Sequence, residues 1–109
     1  MHIDINNIWV KVNDFPLLWV FDQGSCCDLI DSNQFNNLQT NLSINNLSTI
    51  DLIPTHQSVT TATKTIQFVG YFNAELKTHA NTISSTIYVS KDPLPYPILG
   101  QTSVNALLH

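Results

Sequence analysis

The chain is poor in charge. Of its 109 residues only 11% are Asp, Glu, Lys or Arg, and the formal net charge is -4. The basic residues Lys11, Lys64, Lys77 and Lys91 are scattered. Without a basic cluster, nucleic acid and anionic membrane are excluded as main ligands. No apolar run approaches the roughly 20 residues that span a bilayer, and Met1-His2-Ile3-Asp4 lacks the charged and apolar regions of a signal peptide. The expectation is a soluble, intracellular protein with no membrane partner. Cysteine is confined to the neighbours Cys26 and Cys27. Adjacent residues cannot easily reach ordinary disulfide geometry, so reduced thiols are expected. His2, His56, His79 and His109 show no Cys-X-X-Cys or His-X-X-X-His spacing, which predicts neither a metal site nor a cofactor. Repeats, heptads and internal linkers are also missing. Residues 1–109 therefore read as one domain with a modest core. With 43% hydrophobic residues and so few charges, part of the surface is expected to be covered by a partner.

What is present is a succession of short strands. Ile8, Val10 and Val12 share one face, and Asn13-Asp14 predicts a tight turn into Phe15-Pro16-Leu17, giving a hairpin. Asp31-Ser32 followed by Gln34-Phe35 predicts a capped single helical turn. The Asn-rich piece from Asn36 to Asn46 reads as a loop or irregular edge, because Asn favours turns and weakens helix and strand alike. Ser58 to Ile66 has high β propensity with small polar residues in its middle, as in a projecting two-stranded loop. Gln67 to Leu76 reads as a long strand with a bend or bulge at Gly70. Thr82 to Ser90 is a further strand, and Pro93, Pro95 and Pro97 form an extended connector. The fold class is mainly β.

The chemistry concentrates at Leu17-Leu18-Trp19-Val20-Phe21-Asp22-Gln23-Gly24-Ser25. A bulky apolar strand stops abruptly at a carboxylate. Burying an ionised Asp costs several kcal/mol unless it is paired or hydrogen-bonded, so Asp22 is either capped by backbone N–H groups or kept for reaction. Gly24 supplies room for a sharp turn and for close approach of another chain. Taken alone this is most often just a turn. Far downstream, however, Pro97-Ile98-Leu99-Gly100 leads into the helix-like Gln101-Thr102-Ser103-Val104-Asn105-Ala106-Leu107-Leu108.

Together, the strand ending in Asp22-X-Gly24-Ser25, the Thr/Ala-rich hairpin, the strand through Gly70 and Ile98-Leu99-Gly100 before a terminal helix resemble the retropepsins. These are the aspartic proteases of retroviruses and LTR retrotransposons. The resemblance runs from about Ile8 to Leu108. It implies a closed, mostly antiparallel β fold with a flap hairpin and one short C-terminal helix. It also implies a homodimer, because the chain carries one Asp-X-Gly. Two Asp22 carboxylates about 3 Å apart would share a proton and activate a water against a peptide bond. By the same resemblance Asp22 is catalytic, and Gln23, Gly24 and Ser25 support the catalytic loop. Gly24, Cys26, Thr61, Ala62, Thr63 and Ile98 would meet a peptide or polyprotein substrate. No cofactor is implied. The setting would be cytoplasmic, inside virus-like particles where the element makes them.

Several departures bear on that transfer. Gln23 stands where the family has Thr or Ser, whose hydroxyl joins the two catalytic loops across the dimer. The projecting loop lacks the glycines many family members use for flap mobility. In several members an Arg directly after the downstream Gly pairs with an Asp four residues after the catalytic one. Here those places are Gln101 and Cys26, both neutral. Ser25 is expected to donate to the Asp22 carboxylate and favour its charged form, shifting the activity optimum to the acidic side. The chain stops at Leu107-Leu108-His109, where family members continue into an interface strand, so a weak, concentration-dependent dimer is expected. Two other readings stay open: a catalytically silent domain kept for dimerisation or peptide binding, and an unrelated β domain whose Asp22 caps a turn.

Overall fold

The computed structural model of the chain describes residues 7–22, 24–60 and 65–108. β1 (Asn7–Val12) and β2 (Phe15–Asp22) form the expected hairpin. Asn13 and Asp14 have φ of 47° and 73°, a two-residue turn whose twist suits antiparallel strands and which Asn and Asp tolerate best after Gly. The turn is tied across the molecule. Asn13 N–H donates to the Glu75 carbonyl at 2.9 Å, and the Glu75 N–H donates to Asn13 Oδ1 at 3.0 Å.

The chain continues through β3 (Asp28–Asp31), α1 (Ser32–Ile44), β4 (Ile53–Pro54) and β5 (Ser58–Thr60). It ends with β6 (Thr65–Lys77), β7 (Thr82–Ser90), β8 (Ile98–Gly100) and α2 (Gln101–Leu108). Neighbouring strands follow the order β1, β2, β8, β3, β7, β6, and β6 returns to β1 through Lys11 opposite Lys77 and Val12 opposite Leu76. Six strands thus close on themselves, removing the open edges that invite aggregation. Among the described residues only β2 with β8 and β3 with β7 run parallel. The closed, mostly antiparallel β fold with a short C-terminal helix is the one expected.

β6 is the longest strand, and its even-numbered residues from Ile66 to Leu76 all point inward, as the two-residue period of a half-buried strand requires. Its register slips between Phe68 and Gly70. Gly70 is needed there for space: a Cβ would lie 2.6 Å from the Ile53 carbonyl oxygen of β4. The bend lets β6 serve two sets of partners. Its first residues pair with β5, Ser58 opposite Gln67 and Thr60 opposite Thr65, in a projecting hairpin. Its remainder pairs with β4, β7 and β1. Inside the ring lies a core of Val10, Val12, Trp19, Phe72, Leu76, Ile87, Leu99 and Leu107, all fully buried. Side chains of this size contribute about 1.5–3 kcal/mol each by leaving water.

The stretch from Asn36 to Asn46 is not a loop. Through Ile44 it is the body of α1, a helix of 13 residues with Phe35, Leu38 and Leu42 buried. Those three apolar side chains at helical spacing outweigh the poor propensity of the intervening Asn residues. Both ends are capped. Asp31 accepts from Gln34 N–H at 2.7 Å, and the Gln34 side chain accepts from Asp31 N–H at 2.9 Å, a reciprocal capping box. At the other end Asn46 takes φ 57°, with bonds from Asn46 N–H to Ser43 O and from Leu47 N–H to Leu42 O. That is a Schellman closure in which Asn stands in for the usual Gly.

Asp31 does more than cap. Its second oxygen accepts from Leu94 N–H at 2.8 Å, and Gln34 Nε2 donates to Leu94 O at 3.0 Å, which fastens the proline connector to the helix start. Asp31→Ala is expected to remove at least about 1 kcal/mol of stability, since it orphans both a helix donor and a loop donor. In urea titration its midpoint falls at unchanged slope, whereas Asn33→Ala, at an exposed position of the same turn, stays within about 0.5 kcal/mol of wild type. Equal midpoints for the two variants would show that the cap does not hold the connector.

Candidate functional site

Asp22 is the last residue of β2, and its position follows from strand pairing. Parallel registry sets Val20 beside Ile98, Phe21 beside Leu99 and Asp22 beside Gly100. The Asp22 side chain is exposed. Its Oδ1 accepts from Gly24 N–H at 2.9 Å, and the Asp22 carbonyl accepts from Ser25 N–H at 3.0 Å. The turn thereby holds one carboxylate oxygen, and Asp22 lines a cleft.

That cleft has a volume of about 460 Å³. Asp22, Gly24, Ser25 and Cys26 form its floor, Leu29 and Ile98 one wall, and Val59, Thr60 and Ile66 of the projecting hairpin its roof. The wall belongs to a second apolar cluster centred on Leu29, Ile66 and Phe68, with Cys27, Val59, Tyr88, Leu94 and Ile98 packed against it. Phe68 and Tyr88 stack with ring centroids 4.7 Å apart. The cleft is therefore apolar apart from one carboxylate and a few hydroxyls.

Asp22, Gly24, Ser25, Cys26 and Ile98 thus come together around one cleft. Gln23 and the tip residues Thr61, Ala62 and Thr63 lie outside the described residues. Ser25 departs from expectation. Its hydroxyl donates to the Cys27 carbonyl at 2.6 Å and takes a long 3.4 Å bond from Cys27 N–H, so it shapes the loop and is not bonded to Asp22. The backbone two residues on offers a closer acceptor. The expectation of an acidic optimum, which rested on a Ser25–Asp22 bond, loses its basis.

The sequence did not single out Asp28. It opens β3 and is buried, yet it receives donors from three directions: Gly100 N–H at 2.7 Å, Ser103 Oγ at 2.5 Å and Ser85 Oγ. The available signal was an acid inside the apolar run Cys27-Asp28-Leu29-Ile30, with hydroxyls after the downstream Gly. Among the described residues no group of three His, Cys, Asp or Glu side chains is placed to hold a metal ion, and no helix is long and apolar enough to cross a membrane.

Comparison with solved structures decides the fold. The chain aligns with EIAV protease complexed with the inhibitor HBY-793 at a TM-score of 0.72 and 16% identity, covering 94% of this chain and 86% of that one. It aligns with the retroviral protease-like domain of Ddi1 from Leishmania major at 0.65 and 11%, covering 95% and 78%. The fold is retropepsin-like. No family model and no curated protein matches the sequence. Within this retropepsin-like fold, the Asp22 turn, the β5–β6 hairpin and Ile98 of β8 line one cleft.

The two thiols beside the site differ. Cys26 is exposed. Cys27 is half-buried, and its thiol is pushed up to about 12, first by burial, then by its neighbour Cys26 and by the charge of Asp28. Only the thiolate is a nucleophile, so Cys27 stays protonated and inert around pH 8, well below that value. Iodoacetamide under native conditions should alkylate Cys26 and spare Cys27, as read by peptide mass spectrometry. Equal labelling of the folded protein would overturn the assignment.

Proposed function

We propose that the chain is an aspartic endopeptidase domain that cuts extended, largely apolar peptide segments, as in the polyprotein of a retroelement, and that it works as a homodimer. The observation that carries this reading is the Asp22 carboxylate, held by Gly24 N–H and open to an apolar cleft under the β5–β6 hairpin. One chain supplies one such carboxylate. Aspartic peptidase chemistry needs two, so a second copy must bring its own Asp22 to the same water.

In that dimer the two like charges cannot both persist at close range, and the pair shares one proton. The ionised Asp22 takes a proton from the water as it attacks the scissile carbonyl carbon, while the protonated Asp22 donates to the carbonyl oxygen. The tetrahedral intermediate then collapses as a proton passes to the leaving nitrogen. No group is bonded covalently to the enzyme. The substrate would lie extended against the edge of the hairpin, using backbone hydrogen bonds for grip, while Leu29, Val59, Ile66 and Ile98 select apolar side chains. The hairpin acts as a flap that excludes water once peptide is bound. The proposed setting is cytoplasmic.

A silent peptide-binding domain is the second reading, favoured by Gln23 in the place of the family's hydroxyl. Asp22→Asn tests both. In the endopeptidase, cleavage of a mixed peptide library falls at least about 100-fold, wild-type cleavage is blocked by pepstatin, and activity per mole rises with protein concentration through the dimerisation range. The thermal midpoint changes little. Peptide binding without cleavage, in wild-type protein shown to be dimeric by sedimentation, would establish the silent domain. Loss of stability without any activity to lose would leave Asp22 as a turn cap.

A further inference from the structure

Gly100 is the anchor for both ends of the loop that carries Asp22. It is the strand partner of Asp22 itself, and its N–H donates to the carboxylate of Asp28, where β3 begins. Between those ends the loop rests on the same point. A Cβ at Gly100 would lie 2.9 Å from the Cys27 carbonyl oxygen, and Gln101 N–H donates to Ser25 O at 3.2 Å. Asp28 is 3% exposed, and the ion pairs of the described residues involve Lys77, with Asp14 and Glu75, and not Asp28. A buried carboxylate without a cation is costly to keep. Here the cost is offset by donors from β8, from Ser103 in α2 and from Ser85 in β7. Charge-assisted bonds of this kind are short, strong and directional, and these three converge from separate elements onto one residue at the foot of the Asp22 loop.

We propose that Asp28 is a positioning residue that clamps the Asp22 loop to the β8–α2 junction, with Ser103 and Ser85 as its partners. The clamp does the work for which Cys26 and Gln101, both neutral, carry no ion pair. It places Asp22 without touching substrate, and its catalytic consequence rests on the endopeptidase reading.

The test separates loop order from activity. In Asp28→Ala, hydrogen exchange at the amides of Gly24, Ser25 and Cys27 should accelerate at least tenfold, while the β1–β2 hairpin amides of the same protein keep their protection. Turnover falls through kcat with KM little changed, because the cleft walls stay in place. Asp28→Asn, whose side chain still accepts from Gly100 N–H, should recover most of both. Should Asp28→Ala fail to fold, Ser103→Ala, which removes one donor only, reports the same loop-specific acceleration in smaller measure. Loop amides that exchange at the wild-type rate, or that lose protection only in step with the hairpin, would overturn the clamp. So would kcat and KM unchanged in a destabilised Asp28→Ala. If the wild-type protein cleaves nothing, the endopeptidase reading fails and the exchange data still decide the clamp.

Discussion

The parallel pairing of β2 with β8 is the constraint on which the site depends. These strands are far apart in sequence, and their registry sets Asp22 beside Gly100. Such a pairing closes a long loop of chain and is entropically expensive, so the rest of the fold must stabilise it. β1 binds β2 on its outer side, and β3 meets β8 at Leu29 and Ile98. Leu99, between Ile98 and Gly100, is fully buried in the core. Ring closure between β6 and β1 holds the sheet in register, and a one-residue slip of β2 would turn the buried Trp19 outward. The position of the acid is a consequence of core packing and not of the loop alone.

How much of this could be read in the sequence differs by element, for physical reasons. Asn13-Asp14 announced a hairpin because few residues tolerate two successive positive φ values, and Gly70 announced a bulge because nothing larger fits against the Ile53 carbonyl. Local chemistry was enough in both cases. The helix α1 was misread because Asn propensity is also local, whereas the burial of Phe35, Leu38 and Leu42 against the ring is tertiary and wins. The cap at Asp31 was legible, but its second bond, to Leu94, depends on residues that meet only when folded. The convergence of Asp22, Gly24, Ser25, Cys26 and Ile98 on one cleft is what the resemblance to the retropepsins implied. The hydroxyl of Ser25 was assigned to the wrong acceptor because sequence proximity to Asp22 is no guide to direction, and the Cys27 carbonyl lies better placed.

The loop carries two acids with opposite surroundings. Asp28 is enclosed, and among the described residues no buried side-chain polar atom lacks a partner. Gly100, Ser103 and Ser85 take three of the about four acceptor directions of its carboxylate, which leaves it little to offer a substrate. Asp22 is exposed and receives one backbone N–H from within its own turn. A carboxylate has about four lone-pair directions, and among the described residues one hydrogen bond to the Asp22 carboxylate is seen, at a residue that lines the cleft. A structural carboxylate is expected to look like Asp28. The catalytic role proposed for Asp22 requires free acceptor capacity in an acid held by its turn, and the bond from Gly24 N–H at the edge of the cleft suits that role.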